Sequence, residues 1–179
     1  PSRLVGSEMC IRDRVNILKP GPGVGGHCIA VDPWFIVSET PDAARLIHSA
    51  RKVNDSKPTW VIKKIKVALA EHLIENPQKR AEDVVIACYG VAFKPDIDDL
   101  RESPALHIAE AVTQFHPGPT YIVEPNIAVL PKVLAKGKLE SFQYATENAD
   151  INLVFVSHKE FRKGKGILEG TKCMFFCEV

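Results

Sequence analysis

No apolar run in this sequence comes near the roughly 20 residues that a membrane-spanning helix needs. Excess charge is missing too: the formal net charge is +1, which gives no electrostatic case for nucleic acid or an anionic membrane surface as a partner. The cysteines are five, an odd number at irregular spacing (Cys10, Cys28, Cys88, Cys173, Cys177). That pattern fits neither a disulfide framework nor a four-cysteine zinc site, so reduced thiols in a cytoplasmic setting are expected. What is there is ordinary for a globular protein, with 45% hydrophobic and 25% charged residues. The 179 residues suffice for one domain of common size with an appendage.

The densest local signal lies near the start. Pro20-Gly21-Pro22-Gly23-Val24-Gly25-Gly26 packs four glycines and two prolines into seven residues. Such a stretch forms a tight, non-repetitive loop, because glycine reaches φ > 0 and proline fixes φ at about −65°. Cys28 follows at once, and Asp32 four residues later. A cysteine behind a glycine-lined loop is a candidate nucleophile, although taken alone such a residue more often belongs to a core. If residues 29–32 make one helical turn, Asp32 comes to lie beside Cys28. Upstream, residues 1–14 show no helical or strand period and no signal-peptide plan. They read as a non-native leader, with Arg14 on its border, and residues 15–18 read as a short strand.

From Asp42 apolar residues recur at three- and four-residue intervals (Ala43, Ala44, Leu46, Ile47, Ala50, Val53), the spacing of an amphipathic helix. Asn54-Asp55-Ser56 is expected to interrupt it, with Ser56 as N-cap and Pro58 in the first turn of a second, longer helix. Apolar positions cover much of that second helix, so it asks for burial against more than one neighbour, as an interdomain spine or a dimer interface. Beyond Asn76-Pro77 the organisation changes. Residues 84–89 form a continuous apolar run, as in a strand buried on both faces. Ser103-Pro104 opens a helix that runs to Phe115, and residues 120–123 form the next strand. A helix is expected around residues 128–134, a short one over 146–149, and further strands at 152–156 and 173–177. The alternation predicts an α/β fold: a doubly wound, mainly parallel sheet preceded by a long helical segment.

The first strand and helix of that domain are joined by residues 90–104. This loop must lie at the carboxyl ends of the strands, where open α/β sheets bind their ligands. It carries Lys94 and Arg101, cations suited to phosphate oxygens, and it runs into a helix N-terminus. It also carries Asp96, Asp98 and Asp99, which would pair with those cations if the loop were merely a solvated one. Gly90 alone stands where a dinucleotide fingerprint needs several glycines.

Taken together, in this order and spacing, the two stretches resemble the nucleotide-sugar 6-dehydrogenase family (UDP-glucose, GDP-mannose and UDP-N-acetylhexosamine dehydrogenases). Gly25-Gly26-His27-Cys28 matches the family's glycine-glycine-x-cysteine motif. Phe93-Lys94 and Asp99-Leu100-Arg101-Glu102-Ser103 match its phenylalanine-lysine…aspartate-x-arginine-glutamate-serine loop. His27 before the cysteine and Val31 after it resemble the N-acetylhexosamine branch, and His158 with Phe161 fits a histidine-x-x-phenylalanine turn seen after a late strand. The likeness covers about residues 15–161.

The resemblance implies an NAD-dependent oxidation of the C6 alcohol of a UDP-N-acetylhexosamine to the carboxylate, by a homodimer joined through the central helix. Cys28 is then the nucleophile, passing through a thiohemiacetal and a thioester, and Asp32 helps to manage protons and water. Arg14, Gly25, Phe93 and Lys94 fall at substrate-binding positions, and Arg101 at one that reaches the NAD. No metal is implied. The expected division is a leader over 1–14, the cysteine loop and central helical region over 15–78, and a nucleotide-binding domain over 79–179. The family's NAD-binding domain and catalytic lysine fall outside this stretch, and the choice of sugar epimer stays open.

The alternative from another class is a nucleotide-binding or dimerisation module without chemistry, which has no use for Gly25-Gly26-His27-Cys28 together with Asp32. A cysteine hydrolase using His27 or His158 is disfavoured, because adjacent cysteine and histidine side chains do not readily face each other. His27 is expected to order the loop by hydrogen bonding. His48, His72, His107 and His116 read as solvated or helix-packing residues, and Cys88 as core.

Overall fold

The structure, a computed structural model, describes residues 19–178. Arg14 and the strand expected over residues 15–18 lie outside the described residues. Among the described residues five strands form one sheet: β1 (Ile86–Tyr89), β2 (Thr120–Val123), β3 (Lys138–Leu139), β4 (Ile151–Val154) and β5 (Cys173–Phe175). Their order is β3-β2-β1-β4-β5, and every pairing is parallel. The chain therefore builds outward from β1 to one edge and then returns to build the other, which is the doubly wound plan. Ile86 stands opposite Thr120 on one side and Ile151 on the other.

Among the described residues six helices accompany the sheet: α1 (Asp32–Glu39), α2 (Arg45–Glu75), α3 (Pro104–Phe115), α4 (Phe142–Asn148), α5 (Lys159–Lys163) and α6 (Lys165–Glu169). Alternation along β1 shows how they are layered. Ile86 and Cys88 join a core with Val61 and Ile65 of α2 and Ile108, Ala109 and Val112 of α3. Ala87 and Tyr89 join a second core with Ala145 of α4, Phe161 of α5 and Leu168 of α6. Both faces are covered, which is why the strand reads as an unbroken apolar run. Cys88 is fully buried, as expected, and burial raises its thiol pKa strongly. The hydroxyl of Tyr89 finds partners inside the second core, donating to Asn152 Oδ1 (2.7 Å) and lying 3.0 Å from Thr146 Oγ1.

The expected break in the central helix is absent. α2 is a single helix of 31 residues with Pro58 inside it. Each of the three residues read as an interruption turns its side chain to a use that leaves the backbone helical. Ser56 Oγ donates back to the Val53 carbonyl (2.8 Å), Asp55 pairs with Arg51 one turn earlier (2.7 Å), and Asn54 reaches out to the backbone of Val24. A proline inside a helix costs about 3 kcal/mol, through its missing N–H and its clash with the preceding turn. Burial of Pro58, Val61, Ile65 and Ala68 along one face offsets this, at roughly 1.5–3 kcal/mol for each large apolar side chain fully buried.

α3 matches its expectation, with Ser103 Oγ accepting from the Leu106 N–H (3.2 Å). The helix expected around residues 128–134 is only a 3-10 turn at Lys132–Leu134, because Pro131 before it is held extended at φ −64, ψ 154. α4 starts earlier than expected, capped by Ser141, whose Oγ accepts from the Tyr144 N–H (3.2 Å). β1 begins at Ile86 rather than at residue 84, since the Val85 N–H is taken by the Asp150 carboxylate (2.9 Å).

Candidate active site

The order of the sheet reverses at β1, whose neighbours are β2 and β4, and such a switch point leaves a crevice between the loops at the strand ends. Gly90 turns the chain out of β1 at φ 79, so close to the β4 loop that a Cβ would stand 2.7 Å from Val156 Cβ. A pocket of about 270 Å³ opens here, at the small end of the range for ligand sites. Phe93 and Lys94 line it from the β1 side, Val156 and Ser157 from the β4 side, and residues 19–24 of the glycine–proline loop complete it. Lys94 is exposed and brings the ammonium that an anionic ligand asks for.

Asn54 on α2 holds the glycine–proline loop against this crevice. Val24 N–H donates to Asn54 Oδ1 (2.7 Å), and Asn54 Nδ2 donates to the Val24 carbonyl (3.1 Å). Two glycines then dock the loop onto the β1–α3 connection. A Cβ on Gly25 would lie 2.0 Å from the Glu102 carbonyl oxygen and 2.7 Å from Pro104 Cδ. Gly26, at φ 90, leaves the Phe93 ring where a Cβ would meet it at 2.9 Å. The two sequence motifs are thus in direct contact, and the contact is made by the glycines of one of them. His27 orders the loop by an aromatic contact in place of the expected hydrogen bond, its ring lying edge-on to Phe93 at 6.4 Å.

The carbonyl of Cys28 accepts from the N–H groups of Val31 (3.0 Å) and Asp32 (2.8 Å), so residues 28–32 make the helical turn that leads into α1. Cys28 and Asp32 are both exposed. Cys28 does not line the pocket, but its thiol lies within electrostatic reach of Arg101. Arg101 is clamped on Asp99, with Nε 3.0 Å from each carboxylate oxygen and Nη2 2.6 Å from Oδ2. Hydrogen bonds from the guanidinium, and then from the Arg101 N–H, hold the Asp99 carboxyl down to about 2. Asp99 therefore pairs as a solvated loop would have it. Asp96 turns instead to α5, accepting from the Lys159 N–H (2.8 Å) and Arg162 Nη2 (3.0 Å). A larger cleft of about 600 Å³ lies where α1, α2 and the start of α3 meet. Neither Cys28 nor Lys94 lines it, and its cation Arg51 is already engaged by Asp55 and the Ile29 carbonyl.

Residues 3–56 match the central domain of the UDP-glucose/GDP-mannose dehydrogenase family, and residues 87–173 match its UDP binding domain. The chain belongs to this family. It is 57% identical over 150 residues to the UDP-N-acetyl-D-mannosamine dehydrogenase of Escherichia coli (strain K12), a match covering 83% of this chain and 36% of that relative. The NDP-N-acetyl-D-galactosaminuronic acid dehydrogenase of Ralstonia nicotianae is 51% identical, over 84% of this chain and 33% of its own length. Among solved structures, a UDP-N-acetyl-mannosamine dehydrogenase from S. aureus is 34% identical with a TM-score of 0.61, covering 88% of this chain and 34% of that one. The chain thus spans about a third of the length of the relatives it matches.

Within that family frame, the described residues bring Phe93 and Lys94 together at the pocket, set Gly25 against Glu102 and Pro104 rather than in the pocket lining, and leave Cys28 within electrostatic reach of Arg101. Arg14 lies outside the described residues, and Asp32 follows Cys28 by one turn without lining the pocket. Sequence reading assigned no role to Asn54 or Glu124. Asn54 carried a signal for a helix break, not for a clamp. Glu124 was visible as the acidic end of a strand, but its partners come from two other loops. Among the described residues no group of three histidine, cysteine or acidic side chains is placed to hold a metal ion.

Proposed function

We propose that this chain is the cysteine- and nucleotide-bearing part of an NAD-dependent UDP-N-acetyl-D-mannosamine 6-dehydrogenase. The reaction oxidises the sugar C6 alcohol to the carboxylate of UDP-N-acetyl-D-mannosaminuronate, in the cytoplasm. One observation carries the reading: Gly25 and Gly26 dock the cysteine motif directly onto Phe93 and Glu102, so the nucleophile and the Phe93-Lys94 grip share one surface. A binding module without chemistry has no need of that juxtaposition.

Lys94 and Phe93 hold the nucleotide sugar at the pocket, and Gly25 serves it by letting the loop that completes the pocket pack against Glu102 and Pro104. The Cys28 thiolate adds to the C6 aldehyde carbon, and the resulting alkoxide takes up a proton to give the thiohemiacetal. Two-electron oxidation of that adduct, with loss of the hydroxyl proton, leaves a thioester. Water adds to its carbonyl carbon, the C–S bond breaks, and the carboxylate leaves with the thiolate restored. Asp32, one turn beyond Cys28, orients that water in this reading. NAD, when bound, supplies the hydride acceptor for both oxidations. Arg101 would hold it from this chain: two of its nitrogens serve Asp99, and the five donors of a guanidinium leave others for a phosphate or ribose oxygen.

The partner is a second copy of the chain. On α2 the side chains of Leu46, Val53, Trp60, Val67 and Ile74 are all exposed, from 46% to 82%, and they recur every seven residues. A heptad stripe on a helix drifts by only about 20° per repeat and is the seam along which two helices pack. The opposite side of α2, with Val61, Ile65 and Ala68, is already buried against the sheet domain.

A protein of the relatives' full length carrying this sequence is expected to reduce NAD with UDP-N-acetyl-D-mannosamine in preference to UDP-N-acetyl-D-glucosamine. Cys28→Ala should abolish carboxylate formation while UDP still binds by calorimetry. Wild-type turnover by that variant would refute the thioester route.

A further inference from the structure

Three loops at the carboxyl end of the sheet converge on one buried carboxylate. Glu124, which follows β2, is 3% exposed. Its Oε2 accepts from the N–H groups of Val91 (2.8 Å) and Ala92 (3.2 Å) in the loop after β1. Its Oε1 accepts from the N–H (3.2 Å) and Nδ2 (3.0 Å) of Asn126. The remaining partner is His158, beyond β4, whose Nε2 lies 3.0 Å from Glu124 Oε2. Burial alone would raise the Glu124 pKa, but these bonds, led by that from His158, hold it below its ordinary value.

His158 is itself only 1% exposed, and its other nitrogen looks toward the Lys94 loop. The Asp96 N–H lies 2.9 Å from His158 Nδ1, and Asn126 Nδ2 lies 3.1 Å from the same atom. A peptide N–H can only donate, so Nδ1 carries a lone pair and the ring proton sits on Nε2, pointing at Glu124. Asp96 is held in the left-handed region at φ 61, a conformation a non-glycine residue keeps only when its surroundings impose it. Those surroundings are His158 on its N–H, with Lys159 N–H and Arg162 on its carboxylate. The loop is closed behind it by the Phe93 N–H, which donates to the Asp99 carbonyl (3.2 Å).

We propose that His158, buttressed by Glu124, is a positioning residue for nucleotide-sugar binding. By capturing the Asp96 N–H it sets the closed loop over residues 93–99, and so fixes where Lys94 and Phe93 stand at the pocket. His158 touches neither substrate nor cofactor. The inference rests on the proposed nucleotide-sugar site.

Two amide variants separate the ring's two bonds. In His158→Asn the side-chain oxygen stands near the place of Nδ1 and still accepts from Asp96. In His158→Gln the side-chain nitrogen stands near the place of Nε2 and still donates to Glu124, but the Asp96 N–H loses its acceptor. Calorimetry of the chain with UDP is expected to show affinity reduced about tenfold in His158→Gln, as for an N–H that loses its acceptor, and affinity close to wild type in His158→Asn. Amide hydrogen exchange at Asp96 should quicken only in His158→Gln. Exchange at Phe155, whose N–H donates to Tyr89 within the sheet, should stay slow in both. Asp96→Ala, which frees the loop from Lys159 and Arg162 and takes away the carboxylate oxygen 3.8 Å from His158 Nδ1 but keeps the backbone N–H that the ring accepts from, should also weaken UDP, and it serves if His158→Gln does not fold. Undiminished UDP affinity in His158→Gln or in Asp96→Ala overturns the positioning role, and so does equal loss in both His158 variants with the sheet intact. Absence of UDP binding by the unsubstituted chain overturns the nucleotide-sugar reading itself and this proposal with it.

Discussion

Gly25→Ala is the most direct test of how the two motifs meet. The new Cβ would lie 2.0 Å from the Glu102 carbonyl oxygen and 3.0 Å from its carbonyl carbon, where ordinary contact begins at 3.4 Å. The obstruction is backbone, so no rotamer change relieves it. Glu102 is also poorly placed to yield, since it already occupies the left-handed region at φ 48. Overpacking of this kind costs about 1–3 kcal/mol. At about 2–4 °C per kcal/mol for a chain of this size, the thermal midpoint should fall by about 2–12 °C. Alternatively the loop lifts away from the β1–α3 connection, and the Val24 N–H leaves Asn54. Both outcomes are read together, by circular dichroism on heating and by amide exchange at Val24. Gly21→Ala is the matched control: a Cβ there meets nothing within 4 Å, and its φ is not in the left-handed region, so alanine should be neutral or stabilising by about 0.4–1 kcal/mol. If Gly25→Ala matched Gly21→Ala in both midpoint and Val24 protection, the docking argument would fail.

Two further outcomes can be checked on the same chain. Burial holds His72 and His116 below the ordinary histidine value of 6.5, so below pH 6.5 the unfolded chain takes up protons that the fold refuses, and stability declines with falling pH. His116→Gln keeps a donor for the Val84 carbonyl, which lies 2.8 Å from Nε2, and removes the titration; urea midpoints should then fall less steeply below pH 6.5, and an unchanged slope would refute the assignment. Sedimentation should show the chain as a dimer that Val53→Glu with Val67→Glu converts to monomer, since both positions lie on the exposed heptad stripe; a dimer surviving both changes would place the interface elsewhere.

What could be read in the sequence was what neighbours along the chain decide. Ser103-Pro104 announced α3 because cap and first turn are adjacent, and residues 86–89 announced β1 because burial on two faces leaves no polar positions. Roles decided across the fold were hidden. Local preference makes Asn54, Asp55 and Ser56 helix breakers, yet Asn54 is claimed by Val24, 30 residues away, and the helix runs on. That misplaced break also hid the heptad stripe, whose residues Leu46 and Val53 fell in one expected helix and Trp60, Val67 and Ile74 in another. At the site, the motif residues Gly25, Cys28, Phe93 and Arg101 were legible. Of the residues that hold them in place, His158 was legible as part of a motif but not in its partners, and the roles of Asn54 and Glu124 were not legible at all, because a hydrogen bond across many residues leaves no periodicity to read.

The all-parallel sheet also governs how the chain reaches this structure. Among the described residues no strand is joined to its partner by a hairpin, and the bond that starts β1 at its proper residue, from the Val85 N–H to Asp150, closes a separation of 65 residues. The entropy of such closures rises only slowly with length, but it must be met before the strands gain anything, and topologies of this kind fold late. Until β4 arrives, β1 presents one bare edge made of Ile86-Ala87-Cys88-Tyr89, an uncharged segment of the sort that pairs with a neighbouring molecule. The interval between collapse and the arrival of β4 is therefore when the chain is most open to aggregation, and the native sheet, once both faces are covered, no longer carries that risk at its centre.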